Sequence, residues 1–429
     1  MAITPAASAS IVGYTLVDFG TLGGTTEAFA INELGISAGA GLAAVDRGFA
    51  FHATVWSVSD SGVVSTTVLG RGQALDINDL GEVAGLLQFS GPTLWRLKTD
   101  GTFDTILLPT LGGVGGHLLS INNAGYAVGR AMPATGCCTL AALWHITPLG
   151  ITVQGFSGVD LIAINDNQEI AARSFSGDAI AISLFTVQSD GSVTQQLLKT
   201  FPSGLSVGVN NINNAGAIVG TVNTETVDEF GDPVFHSEAF ILTKDSRMAL
   251  LPPLAAGGNA VARGINDHFQ VVGFSDAHAM LWSPLSSGGY GVTDLGANAI
   301  AFDINEASWI AGFSGGHAAL WTIPTPAAQT EGLAAEVDSI VGTGALTQGQ
   351  ATALKAKLSA AKDRLNAEHA NSAVLILRAF INQVNAQIKA GQMSGKLTQQ
   401  QIQDLQALID GAQAIIDRLC SQVPMPTAC

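Results

Sequence analysis

The stretch Ala299-Ile300-Ala301-Phe302-Asp303-Ile304-Asn305, followed by His317-Ala318-Ala319-Leu320-Trp321, decides how this chain folds. The first part is an alternating strand pattern that ends in Ile-Asn. That dipeptide recurs as Ile31-Asn32, Ile77-Asn78, Ile121-Asn122, Ile164-Asn165, Ile212-Asn213, Ile265-Asn266 and Ile304-Asn305, at intervals of 46, 44, 43, 48, 53 and 39 residues. Such intervals suit units of four short strands, the blades of a β-propeller. Seven copies predict seven blades.

Within each unit the innermost strand a ends in Ile-Asn and enters a tight turn such as Asn122-Asn123-Ala124-Gly125 or Asn213-Asn214-Ala215-Gly216. Asn and Gly tolerate the positive φ that these turns need. Strand b is short, as in Ala217-Ile218-Val219-Gly220. Strand c carries the second signature, His52-Ala53-Thr54-Val55-Trp56, His278-Ala279-Met280-Leu281-Trp282 and His317-Ala318-Ala319-Leu320-Trp321. Turns at Asp60-Ser61-Gly62, Asp100-Gly101 and Asp190-Gly191 lead into strand d.

The two ends of the repeat array fit each other. The last unit stops after strand c, at Trp321-Thr322-Ile323, while an orphan strand of type d, Tyr14-Thr15-Leu16-Val17-Asp18-Phe19-Gly20, precedes the first. Pairing of Tyr14–Phe19 with Ala318–Ile323 would close the ring and remove the free sheet edges that invite aggregation. The expected fold is an all-β, seven-bladed β-propeller over residues 14–323.

The string Asp18-Phe19-Gly20-Thr21-Leu22-Gly23-Gly24, its partial echo Leu111-Gly112-Gly113, the Ile-Asn turns and the His-Ala…Trp strands resemble the HAF repeats of bacterial extracellular proteins. The fourth unit departs from that pattern, with Gln168 at the turn glycine and Phe185 at the tryptophan. The resemblance implies export and a cell-surface, extracellular or periplasmic setting, and it brings no catalytic residues. Residues 1–13 read equally as a flexible terminus or as a signal remnant ending in Ala7-Ser8-Ala9.

Beyond the proline-rich stretch 324–330 the apolar period becomes helical. Ala351, Leu354, Leu358, Ala361 and Leu365 form one stripe, Val374, Leu377, Ile381, Val384 and Ile388 a second, and Ile402, Leu405, Ile409, Ala412, Ile416 and Leu419 a third. Thr347-x-x-Gln350 and Thr398-x-x-Gln401 are capping boxes. A small all-α bundle of three or four helices over 331–420 follows, with a tail at 421–429. Ala373–Val384 resembles the FIMAH-type domain found at the C-termini of bacterial secreted proteins. This domain is the expected element for tethering, oligomerisation or assembly into a larger surface structure.

Composition narrows the function. The formal charge is −16, and residues 1–330 carry all of the excess, with 26 acids against 10 bases. A surface of that sign repels phosphate backbones, so nucleic acid is not an expected partner. No apolar run is long enough to span a membrane as a helix. Four cysteines contain no C-x-x-C pair, which speaks against zinc, and no cofactor is expected. A Cys420–Cys429 bridge would suit an oxidising compartment, although spacing alone leaves the pairing open.

Catalytic signatures are weak. Gly35-Ile36-Ser37-Ala38-Gly39 and Gly204-Leu205-Ser206-Val207-Gly208 have the letters of a nucleophile elbow without a following helix. Asp76-Ile77-Asn78-Asp79-Leu80-Gly81 lacks the ligand spacing of an EF-hand and reads as a hairpin turn. His52, His278 and His317 hold one repeat position, which points to an architectural role. Length varies instead in the b–c and d–a connections, which share one end of a propeller. The expected ligand face therefore comprises Asp46, Arg47, His117, Arg130, Asp228, Glu229, Phe230, Asp232 and His236. These readings predict a binding or scaffold module for a glycan or protein. A carbohydrate-active lyase or hydrolase using Asp228, Glu229 and Asp232, or a purely structural subunit, is the alternative.

Overall fold

The computed structural model describes residues 13–429 except 46–47, 60–62, 137, 177–178, 228–232, 286–287, 324–325, 368, 421–427 and 429. The chain divides into two compact units, Leu16–Thr322 and a second that contains Ile323–Cys429.

The first unit is a β-propeller. The orphan strand Thr15–Asp18 joins the sheet of the last repeat beside His317–Thr322, in the order Thr15–Asp18, His317–Thr322, Ile310–Ser314, Ala299–Ile304. The first and last repeats are thus stitched together, with Phe19 N–H donating to the Ala318 carbonyl at 2.9 Å.

The expectation of seven like blades needs correction. Five four-stranded blades stand as separate sheets, and the seven strands from Gly23–Ile31 to Phe103–Leu107 form one continuous sheet. The cause lies in Val64–Ile77, which pairs with Gly48–Val58 through Val64–Arg71 and with Glu82–Leu87 through Gly72–Ile77. Strand d of the first repeat runs straight into strand a of the second with no connecting residue. Gly72 permits this, because a Cβ there would lie 2.0 Å from the Leu86 carbonyl oxygen.

Strand c supplies the core. Trp56, Trp95, Trp144, Trp282 and Trp321 are all essentially inaccessible to solvent. Buried indoles need partners, and three find them on the end of the preceding repeat. Trp144 Nε1 donates to the Pro109 carbonyl at 2.7 Å, Trp282 to Pro252 at 2.7 Å and Trp321 to Leu295 at 3.1 Å. Truncating one of these side chains to alanine should cost about 3–5 kcal/mol.

The turn after each Ile-Asn places its fourth residue at positive φ: Gly35, Gly81, Gly125 and Gly216, but also Gln168, Phe269 and Ser308 near 60°. Glycine is obligatory only where the next element crowds in. A Cβ on Gly35 would meet the Trp309 ring at 2.5 Å.

The second unit holds four helices, α1 (Pro326–Gly342), α2 (Gln348–Asn366), α3 (Ala370–Ser394) and α4 (Gln399–Cys420). Helix α1 starts inside the stretch read as a linker, with Pro326 at its first position, where its missing N–H has no helical partner to lose. Both capping boxes form, at Thr347–Gln350 and Thr398–Gln401. The core is continuous through all four helices. In α3 it takes Phe380 and leaves Ile381 only partly buried, because a 3.6-residue turn rotates the stripe away from strict 3.5 spacing. No described helix is long and apolar enough to cross a membrane.

Candidate functional site: the axial channel

The seven Ile-Asn dipeptides meet at the propeller axis. Every asparagine is at most 4% exposed. Its Oδ1 accepts the backbone N–H four residues on, which clamps its own turn, as in Ile36 to Asn32 and Glu169 to Asn165. Its Nδ2 donates to the carbonyl of the next asparagine: Asn32 to Asn78, Asn78 to Asn122, Asn122 to Asn165, Asn165 to Asn213, Asn213 to Asn266, Asn266 to Asn305, and Asn305 back to Asn32. The ring closes with donor–acceptor distances of 2.8–3.1 Å. Aspartate could clamp the turn but could not donate, so the residue type follows from the geometry.

A second ring lies beside it, built from the residue after each asparagine. The backbone N–H of Glu33 donates to Asp79, Asp79 to Asn123, Asn123 to Asp166, Asp166 to Asn214, Asn214 to Asp267, Asp267 to Glu306, and Glu306 to Glu33. Five of these seven acceptors are carboxylates, so one mouth of the channel is acidic. Burial raises the Glu33 and Glu306 carboxyls above their usual values, and neighbouring acids push the same way.

Deeper in, seven equivalent bulges interrupt the strand a–b pairing, for example between Ala28 and Ala30, Ala262 and Gly264, and Ala301 and Asp303. The skipped residues, Phe29, Leu75, Leu119, Ile162, Asn210, Arg263 and Phe302, line a channel of about 450 Å³. Between them and the asparagine ring lie Asp76 and Asp303. Water can reach both from the channel although protein encloses them, and that enclosure dominates their chemistry. It raises Asp76 to about 6 and Asp303 to about 7, the latter also through the charge of Asp76. The N–H groups of Ile121 and Ile31, donating to Asp76 and Asp303 at 2.8 and 3.0 Å, oppose the rise. Gly264 makes room here, since its Cβ would lie 2.8 Å from the Asp303 Cα.

Arg263 faces the channel between two rings, its guanidinium carbon 5.8 Å from the Phe274 centroid and 5.9 Å from that of Phe302. Its Nε is buried and lacks a hydrogen-bond partner among the described residues. Burial lowers its pKa, while Glu27 pulls it back up.

Of the residues assigned from sequence to the ligand face, His117 and Arg130 lie side by side on paired strands, not in loops. Arg130 ion-pairs across repeats with Asp160, which also binds Arg173 of its own blade at 2.8 Å, and Arg173 in turn donates to the Val207 carbonyl of the next repeat, so both arginines are engaged. Burial lowers the His117 pKa, with Arg130 adding to the effect. His236 sits in the strand Pro233–Leu242 opposite Thr224, apart from these. Asp46, Arg47, Asp228, Glu229, Phe230 and Asp232 lie outside the described residues, as do Cys137 and Cys429. Cys420 is disulfide-bonded. His278 and His317 hold Asp294 and Asp18 at 3.0 and 2.9 Å, whereas His52 Nδ1 lies 3.1 Å from the Ala50 carbonyl. Ser37 and Ser206 of the two G-x-S-x-G strings begin strands, and no elbow forms. No cluster of potential metal ligands occurs among the described residues.

Sequence reasoning missed Arg263, Asp303 and Glu27. A signal was present, because aligning the repeats on Ile-Asn puts arginine three residues before Asn266 and aspartate two before Asn78 and Asn305.

Residues 330–410 match the FIMAH domain. No curated protein matches the chain by sequence. Among solved structures, a catalytically inactive virginiamycin B lyase from Staphylococcus aureus with quinupristin is 12% identical, with a TM-score of 0.44, over 72% of this chain and 99% of that one. A streptogramin B lyase gives 11% and 0.44 over 72% and 98%. The β-propeller domain of the Trilobed protease from Pyrococcus furiosus gives 9% and 0.44 over 70% and 94%.

Proposed function

We propose that this chain is an exported binding module rather than an enzyme, in which the propeller engages a glycan or protein and the FIMAH domain tethers it or joins it to a surface assembly. The observation that carries this reading is the unequal length of the b–c hairpins. Antiparallel order places all of them at the end opposite the asparagine ring. The hairpin of Ile218–Val227 with Pro233–Leu242 has ten paired positions and that of Ser37–Val45 with Gly48–Val58 has nine, against five in Val271–Ser275 with His278–Pro284. These two pair the most positions, followed by eight in Glu169–Ser176 with Ala179–Val187, and one of the two presents Phe49 and Phe51, both exposed. Exposed aromatic anchors on a rigid scaffold suit recognition. The disulfide at Cys420 and the HAF-like repeats support export.

Glycan arrays and pull-downs from culture and surface fractions test this. Variants that shorten both long hairpins to five pairs should lose the bound ligand or partner while melting as the parent does. Equal binding by parent and shortened chains would refute the site.

A further inference from the structure

The channel offers a binding site separate from the hairpin end. We propose that it takes a small organic monocarboxylate with an apolar body, its carboxylate held by Arg263. A guanidinium is the fork that carboxylates fit, and this one is not spent. Among the described residues it enters none of the ion pairs. Glu27 acts on it only through space. Structural arginines elsewhere in the propeller behave differently, since Arg96, Arg130 and Arg173 each hold a buried acid.

The walls specify the rest of the ligand. Phe302 flanks the guanidinium and meets Phe29 edge-on, with centroids 5.3 Å apart and planes at 82°. Leu75, Leu119 and Ile162 occupy the same bulge position in other repeats and line the channel too. The space of about 450 Å³ is lined in the bulge layer by these apolar side chains, Asn210 and the Arg263 guanidinium, and towards the asparagine ring by Asp76 and Asp303, so the bulge layer is the part that suits an apolar body with one carboxylate. Arg263 is the one cation among the described residues that line the channel, so with the acidic mouth it limits the anion to one negative charge, and a phosphate dianion would meet Glu33, Asp79, Asp166, Asp267 and Glu306 on the way.

Titration calorimetry of the full chain with benzoate, its neutral isostere benzamide and inorganic phosphate tests the assignment. Benzoate should bind at one site, benzamide at least tenfold more weakly, and phosphate not at all. Arg263→Met should weaken benzoate more than tenfold with unchanged circular dichroism. Should that variant fail to fold, phenylglyoxal labelling of the native protein gives the same answer, because benzoate and not benzamide should slow modification of the Arg263 peptide. No benzoate binding, equal binding of benzamide, phosphate binding as tight as benzoate, or benzoate binding that survives Arg263→Met would each overturn the site. Shortening the hairpins should leave benzoate binding intact, which separates this test from that of the partner face.

Discussion

Two layers of the channel lie three residues apart on the same strands and obey opposite rules. The asparagine layer has one residue type in all seven repeats, because each must clamp its own turn and donate to its neighbour. The bulge layer has Phe, Leu, Leu, Ile, Asn, Arg and Phe at equivalent positions. A bulged residue is released from the pairing ladder, and no one bond to the adjacent repeat is required of all seven, although Asn210 Nδ2 donates to the Ala262 carbonyl of the next. Where symmetry makes a demand, the sequence repeats, and where it makes none, the repeats diverge and a ligand site can be written. Arg263 belongs to the second layer.

Truncating one residue in each layer should separate the two rules most clearly. Asn165→Ala removes the clamp on Glu169 and leaves the buried Asn213 carbonyl without its donor. Unsatisfied buried groups cost about 1–3 kcal/mol each, so the loss should reach roughly 3 kcal/mol in urea unfolding. Leu119→Ala, in the bulge layer and partly exposed to the channel, should cost about 1 kcal/mol. Equal losses would mean that the bulge layer is as structural as the ring.

A smaller effect lies between the layers. Asp303 is raised to about 7 and Asp76 to about 6. Both prefer the proton in the folded state more than in the unfolded chain, where the usual value is near 3.8. Their contribution to stability is complete below that unfolded value and fades as pH climbs through 6 and 7. The melting midpoint should therefore fall between pH 5 and pH 8. Asp303→Asn should flatten that slope because an amide does not titrate, and it should also move the midpoint, since an amide that accepts the Ile31 N–H turns its NH2 towards the Asn211 donor. A slope that persists in Asp303→Asn and in Asp76→Asn would place the titration elsewhere.

What was legible in the sequence follows the same division. The Ile-Asn turns, the strand c tryptophans and the orphan Tyr14–Gly20 segment showed a closed propeller, because those residues answer to a repeating constraint. The α2 and α4 starts were readable from their capping boxes for the same local reason. Strand merging was not readable, since Gly70-Arg71-Gly72 looks like any other glycine-bearing junction until the missing connector is measured against its neighbours. The hairpin ends were read as loops because their length was visible and their pairing was not. The channel residues escaped for a different reason. A bulge shifts which side chain turns inward, and strict alternation, the only rule available for a strand in sequence, assigns Arg263 and Phe302 to the wrong face.

The closure of the ring supplies the smallest effect and the most local one. His317 lies 2.9 Å from Asp18, so strand c of the last repeat grips the strand that arrives from the other end of the array. What burial there is raises the Asp18 carboxyl, but the His317 contact and the Gly20 N–H outweigh it and hold the pKa below its usual 3.8. The stability this gives is present above that value and is lost as pH falls through the lower folded one. Asp18 is 60% exposed and His317 37%, which places the pair among surface contacts worth roughly 0.2–1 kcal/mol. Asp18→Ala should therefore leave the global midpoint almost unchanged, while amide exchange at Phe19, whose N–H crosses to Ala318, quickens by up to about fivefold. The Nδ1–carboxylate contact of His278 with Asp294 is the internal control, because it joins two strands that adjoin in sequence. Removing it should not quicken exchange at Phe19. If it does, closure is not local to the latch, and the ring opens as one cooperative body.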